Sequence, residues 1–474
     1  MYSRPAYLVC QGIASHTEWT DRIFVSTGEA PRLAPVEMTL PNGTRYMSRV
    51  FISAGGSLRV LRSDSVVPEP RASMYRYNRH VLAGRLVRAE VSDRQVLEVM
   101  TDFWENHFSV FDDKTPSRSS LIEWDRTVIR RHALGRFRDL LGAVAHHPVM
   151  LNYLDNAVST ARGVNENFAR ELLELHTLGV DGGYSQQDVT EVARAFTGWS
   201  HSMIGPSGRL ALPSLQRGDA PPSFVFRDSM HDAGSKIVLG RALRAGRGIE
   251  DGEEVLDLLA RHPSTARFIA RKLVARFVSD DPPKDVVDRA AATYLGTDGD
   301  IRAVVRTIIT SDEFSAPGAF RAKIKSPIEL VLSMRRVLGA PPDTGGESID
   351  DLIALEQVPF SHATPEGWPD GAMWLNAGAM RLRVNLALRV ANGEMASISL
   401  ASWPEWVTLS AAAFDQQRDG VIRALLGGYA SAGTRDAFER VRPAQTTPGT
   451  PVERERTLRE LVALALASPE FQRR

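Results

Sequence analysis

From about residue 74 to 339, apolar side chains return every three or four positions, the period of an amphipathic helix. Ser92 with Gln95 reads as a capping box that opens a helix to about Phe111. Further helices are predicted near 119–131, 135–146, 165–178, 185–198, 250–261, 264–278, 283–295 and 300–310, with another from Ser326 to about Leu338. Ser185 with Asp188, and Ser326 with Pro327 and Glu329, give start signals, and Gly179 suits a C′ position. Residues 1–73 follow another pattern. There Val, Thr, Ile and Arg alternate around turn residues, and Pro41-Asn42-Gly43 between VEMTL and TRYMSRVFIS predicts a β-hairpin. Pro68 and Pro70 then mark a linker-like break. In the loop-rich span 200–248, Phe224-Val225-Phe226 and Lys236-Ile237-Val238-Leu239 are expected to pair as a small hairpin. A loop rich in Pro, Gly and Asp follows Gly339, and PEGWPDGAMW leads into helices near 372–391, 409–427 and 453–467.

The expected fold is mainly α: a bundle-like set of helices with a small N-terminal β appendage and a small hairpin insertion. Three parts are expected: a strand-rich appendage at 1–73, a helical core at 74–340, and a helical extension at 341–474 packed on that core. One internal echo aligns IRAVVRTIITSDEF (301–314) with LRELVALALASPEF (458–471). In each a helix ends before an N-cap serine, Ser311 or Ser468, with Phe314 or Phe471 as a core plug. An old duplication and shared capping grammar both explain it.

Chemistry enters where the helical pattern is broken. On a wheel of about 100° per residue, Glu166, Arg170 and Glu174 of NENFARELLELHTLG share a polar arc with Asn167 and Glu171. His176 falls on the opposite, apolar arc between Leu172 and Ala169. The helix opened by Ser92 repeats the oddity, since His107 interrupts the stripe of Val96, Val99, Met100, Phe103 and Trp104. His231 and Asp232 in MHDAGSK are a third candidate. Three readings stay open. Each ring is neutral and fills the core; or His107, His176 and His231 together hold a divalent metal; or one of them does acid–base work beside a carboxylate. No Glu-x-x-His or His-Glu-x-x-His pair occurs, so a metal would draw ligands from separate segments. The Glu166–Arg170–Glu174 ladder reads as a solvated stripe worth about 0.3–0.5 kcal/mol per pair, or as an arginine held at a pocket wall. GWPDG (367–371) puts an aromatic ring in a rigid turn, which can stack on a sugar or cover the core.

Composition narrows the classes. The 474 residues carry 57 Lys and Arg against 57 Asp and Glu, so nucleic acid is not an expected partner. Only six of the cations are lysine. A single cysteine, Cys10, excludes an intrachain disulfide and a thiolate metal cluster. No apolar run reaches a membrane-spanning length. The start lacks the apolar core of a secretory signal, which read literally means a cytoplasmic chain. Gly-x-Ser-x-Gly, Walker and dinucleotide fingerprints are all missing.

FWENHF (103–108), HALGRFRDLL (132–141), NENFARELLELHTLGVDGGYS (165–185), DVTEVARAFTGW (188–199), HDAGSKIVLG (231–240), HPSTARFIARKLVARFVSDDPP (262–283), KIKSPIEL (323–330) and LASPEF (466–471) together resemble the bacterial domain of unknown function 1800 family. The resemblance covers about residues 78–474. It implies a mainly helical protein without an assigned activity. It also implies export, action on an envelope or extracellular polymer such as a polysaccharide, and a partner protein resembling sulfatases. The strand-like start departs from the family's helical N-terminal region. The resulting expectation is a hydrolase pocket between the 92–111 and 165–178 helices and the 228–236 loop. There His176 or His107 is the general base, Glu171 or Asp232 the orienting acid, and Arg170 the anion clamp. The alternative is a scaffold or export partner that docks through the polar helix face.

Overall fold

A computed structural model describes residues 5–11, 20–26, 32–39, 45–52, 58–59, 67–115, 120–205, 221–444 and 449–474, with side chains from Val81 onward in those ranges. The chain divides into two compact units, Met1–His80 and Val81–Arg474.

The first unit is an antiparallel sheet. Strands β1 (Pro5–Gln11), β2 (Thr20–Ser26), β3 (Arg32–Thr39), β4 (Arg45–Ile52) and β5 (Leu58–Arg59) lie in sequence order, and β6 (Val67–Pro68) also pairs with β4. The expected hairpin is β3–β4, in register from Arg32↔Ile52 to Thr39↔Arg45. Its turn, Pro41-Asn42-Gly43, lies outside the described residues. The break at Pro68 and Pro70 is not a linker. Pro68 ends β6, and a helix begins at Glu69 with Pro70 in its first turn, where a missing N–H costs no bond.

The second unit is mainly helical. The helix Pro263–Phe277 packs on Lys284–Gly296, and Ala377–Asn392 and Phe414–Leu426 pack on Pro451–Ala467. Trp104, Phe137, Leu173, Phe196 and Leu273 are sealed in its interior. Both start signals, Ser185 with Asp188 and Ser326 with Glu329, form capping boxes. Buried Arg335 binds Glu90 at 3.0 Å and the Ser397 carbonyl, and buried Arg383 binds Gln472 at 2.9 Å and the Lys325 carbonyl at 2.7 Å. These two fork-shaped donors tie the last 140 or so residues to the rest by satisfying carbonyls at several bends.

Local expectations differ from the structure in four places. The Ser92 box does not form: Arg94 is the N-cap of Gln95–His107, and the Gln95 amide donates to the carbonyls of Ser92 and Ala89. The NENFARELLELHTLG segment is α-helical only over Asn167–Glu171 and continues as a π-helix over Leu172–Thr177. There Leu178 N–H reaches the Leu173 carbonyl at 2.8 Å, and the Thr177 hydroxyl takes the Leu172 carbonyl at 2.6 Å. The 224–226 and 236–239 segments do not pair with each other. Phe224–Phe226 pairs with Trp199–His201, and Lys236–Val238 turns tightly through Leu239 and Gly240 onto Arg241–Leu243. Leu239 sits at φ +48°, held by its N–H bond to Asp188 at 2.7 Å. In the internal echo both serines cap as expected, but Phe314 is exposed while Phe471 is buried.

Candidate functional site

A cleft of about 180 Å³ opens between three segments: the FWENHF end of Gln95–His107, the helix Pro263–Phe277, and the loop 357–370. Asn106 holds the first and third together. Its amide donates to the Trp368 carbonyl at 2.9 Å and accepts from the Trp368 N–H at 2.7 Å. The loop approaches so closely that a Cβ on Gly367, at φ +75°, would collide with the Asn106 carbonyl. Trp374 closes the turn by donating to the Pro369 carbonyl at 2.7 Å. Of the two tryptophans of this turn, Trp368 lines the cleft, beside Phe103 and Phe360, and lies 4.7 Å from the His362 ring.

The charges in the cleft are mostly paired. Arg85 binds Asp102 at 2.7 Å and Glu105, and Arg276 bridges Asp102 at 3.2 Å and Glu329 at 2.6 Å. Lys272, one turn before Arg276 on the same face, is different. Its ammonium donates to Nδ1 of His107 at 3.0 Å and lies 5.3 Å from the Phe268 ring, and no described carboxylate is within ion-pair distance. Burial pushes this amine down to about 8, opposed only by Asp370.

That bond sets the state of His107. Nδ1 accepts from Lys272, so Nε2 carries the hydrogen and donates to the His176 carbonyl at 3.1 Å. Burial, then Lys272 and His176, hold His107 well below the ordinary histidine value. His176 packs behind it at a ring separation of 6.1 Å, with Phe108 at 5.0 Å. It is 1% exposed, both ring nitrogens lack a hydrogen-bond partner among the described residues, and burial and Lys272 push it down to about 3. Both rings are therefore neutral at ordinary pH.

The remaining sequence candidates lie elsewhere. His231 Nδ1 donates to the Thr197 carbonyl at 2.8 Å, and Nε2 faces Asp251 at 3.4 Å. Asp251 binds buried Lys236 at 2.7 Å and Arg247 at 3.2 Å. Asp232 is forked by Arg194 at 2.8 and 3.1 Å, which, with the Gly234 N–H, holds its carboxyl down to about 2. This network shares no residue with the cleft, so the three histidines do not meet in one hollow. Their segments carry different jobs: HDAGSK stitches the Trp199 strand to the helix Glu250–Ala260. Among the described residues no group of three His, Cys, Asp or Glu side chains is disposed to hold a metal ion, and the His107–His176–His231 set is not formed.

Arg170 lies on the outer face, bonded to Glu166 and Gln186, each at 3.2 Å. Glu166 also accepts from Gln186 and Thr190 at 2.8 Å each, so this polar arc is spent on the neighbouring helix Gln186–Ala195. Glu171 is half-buried and raised by burial and by the Glu174 and Glu366 carboxylates, the latter from the cleft lining.

Lys272 was not legible as a site. One signal was available: four of the six lysines in this arginine-rich chain, at 236, 272, 323 and 325, are buried or half-buried. A lysine kept inside where arginine is the default offers a titratable amine.

A family model described as "Protein of unknown function (DUF1800)" matches residues 13–473. The chain belongs to the DUF1800 family. The match takes in most of the N-terminal sheet, which the motif resemblance over 78–474 left outside. No curated protein and no solved structure matches the chain. Within this DUF1800 chain, FWENHF, ARKLVAR and GWPDG converge on the cleft. Among the described residues no helix is long and apolar enough to cross a membrane.

Proposed function

We propose that the cleft is the working site of a hydrolase acting on an envelope or extracellular polymer. One observation carries this reading. An amine without a carboxylate partner, held at about 8, donates to a neutral imidazole at the wall of an open cleft. A structural lysine is normally paired or solvated, whereas a general base is tuned toward the working pH. Lys272 in its free-amine form takes a proton from the attacking water as the new oxygen bond forms and the polymer linkage breaks, and the resulting ammonium returns that proton to the leaving oxygen. His107 orients that amine through Nδ1, and His176 keeps the surroundings of His107 dry and neutral. Trp368 offers a face for a sugar ring, and Glu171 with Glu366 makes an acidic margin. Arg170, His231 and Asp232 serve the fold in this reading. The scaffold alternative needs an open polar face along Glu166, Arg170 and Glu174; the bonds of the first two to Gln186 and Thr190 leave less of that face to a partner.

The test is release of new chain ends from solubilised envelope and extracellular polysaccharides by the full chain. Release that disappears in Lys272→Met, with the fold intact by circular dichroism, supports the proposal. Release that Lys272→Met leaves untouched, or none from any polymer, overturns it.

A further inference from the structure

A second cleft, of about 190 Å³, lies against the first and shares Arg85, Asp102 and Arg276 with it. Its lining holds six cations, Arg85, Arg130, Arg276, Lys325, Arg336 and Arg474, against the carboxylates of Glu98, Asp102 and Glu329. Glu105 behind Arg85 adds a fourth carboxylate, leaving two cations in surplus, six less four. The pairing shows which two. Arg130 grips Glu98, Arg85 takes Asp102 and Glu105, and Arg276 and Arg474 share Glu329. Among the described residues Arg336 has only the neutral Gln95 side-chain carbonyl, at 3.1 Å. Lys325 stands 4.1 Å from the Phe471 ring centre, and among the described residues no acceptor takes its ammonium protons.

Lys325 lies two residues before the helix Pro327–Val337, and Arg336 sits in its last turn. The nine helical steps from Pro327 to Arg336 rise about 14 Å along the axis, so the two unmatched cations enter the cleft from opposite ends of that helix. Lys325 is held in place from both sides of its backbone, by its N–H bond to the Gln472 carbonyl at 2.9 Å and by Arg383 on its carbonyl. Burial pushes its ammonium down to about 8; Glu329 opposes this, while Arg321, Arg474 and Arg383 reinforce it. An arriving anion relieves that mutual repulsion.

We infer that this second cleft binds a segment of an acidic polysaccharide, with carboxylate or sulfate groups meeting Lys325 and Arg336 and the chain passing Arg276 toward Trp368. This rests on the polymer reading above and names the charge class of that polymer. A nucleic acid is the less favoured polyanion, because the chain carries no overall positive excess to attract a uniform line of phosphates.

The experiment is calorimetric titration of the full chain with oligogalacturonate, alginate and heparan sulfate oligomers, methyl-esterified oligogalacturonate, and single-stranded DNA. Saturable binding of at least one acidic oligosaccharide is expected, weakened about tenfold by either Lys325→Met or Arg336→Gln, in line with loss of one charge-assisted contact. Arg336 is exposed, so its variant keeps the fold even if the Lys325 variant does not. Binding no tighter than to the esterified oligomer, equal binding of DNA, or affinity unchanged in Arg336→Gln overturns the inference. Binding without chain cleavage leaves it standing and removes the hydrolase. Cleavage indifferent to Lys325→Met and Arg336→Gln does the reverse.

Discussion

Asn106 and Trp368, 262 residues apart, bind each other's polar groups in both directions: amide to carbonyl at 2.9 Å and backbone N–H to side-chain oxygen at 2.7 Å. This one side chain replaces a strand partner for the GWPDG turn. Asn106→Leu strips both bonds and leaves two backbone groups of the loop without partners, at about 1–3 kcal/mol for each that stays buried. The expected result is a lower urea midpoint and faster proteolysis within 357–374. An unchanged cleavage pattern would mean the loop is held by Trp374 alone.

Gly367→Ala tests the same contact from the other side. At φ +75° an L-residue is already strained, and the new methyl meets the Asn106 carbonyl. A loss of about 1–3 kcal/mol is expected, while alanine at Gly296, which has open space around it, should be far milder.

Burial pushes the Lys272 amine from the ordinary 10.5 down to about 8. Its basic form accumulates as pH rises through that value, so hydrolysis should rise with pH to a plateau above about 8. Competitive acetylation of the intact protein, read by peptide mass spectrometry, should give the same midpoint for this amine. In stability the sign is also upward. Between about 8 and 10.5 the unfolded chain binds the extra proton, so this group makes stability increase with pH there. An acetylation midpoint near 10.5 would remove the base from the proposed mechanism.

His176 gives an opposite window. Its folded value near 3 lies below the ordinary 6.5, so the unfolded state takes up its proton first as pH falls. Stability is therefore lost progressively below about 6.5, with His107 adding in the same direction. His176→Leu removes a buried ring whose two nitrogens have no partners. It should fold, be about as stable at pH 7, and show a shallower loss in acid. Denaturant midpoints measured from pH 7 to 4 decide this; an unaltered slope would mean that His176 is not the group responsible.

Asp251 anchors Lys236 at 2.7 Å where neither side chain has any exposure. Asp251→Ala leaves a buried ammonium facing only carbonyls and should cost about 3–5 kcal/mol. Thermal unfolding measures it. A small effect would mean that the Asp232 and Gly234 carbonyls are enough to hold the ammonium.

The helices, the capping serines other than Ser92 and the family were legible because each depends on neighbours in sequence. The apolar period, Ser185 with Asp188, Ser326 with Glu329 and the N-terminal hairpin all turned out as read. The site was half legible. His107 and His176 do touch, because both interrupt apolar stripes and the interior has few places for such rings. The π-turn that carries His176 left no trace in the periodicity, since one extra residue per turn is invisible in a six-residue stretch. His231 belonged to the same kind of pattern, yet its ring is taken up by Thr197 and Asp251.

What the amino-acid order settled alone is therefore local: where helices start and stop, which faces are apolar, and that imidazoles are pushed inward. Which imidazole meets an amine rather than an aspartate, and that Asn106 meets Trp368, came only with the packing. Hydrogen bonds and desolvation act over about 3 Å in space, and residues hundreds of positions apart reach that distance only once the whole chain has closed around them.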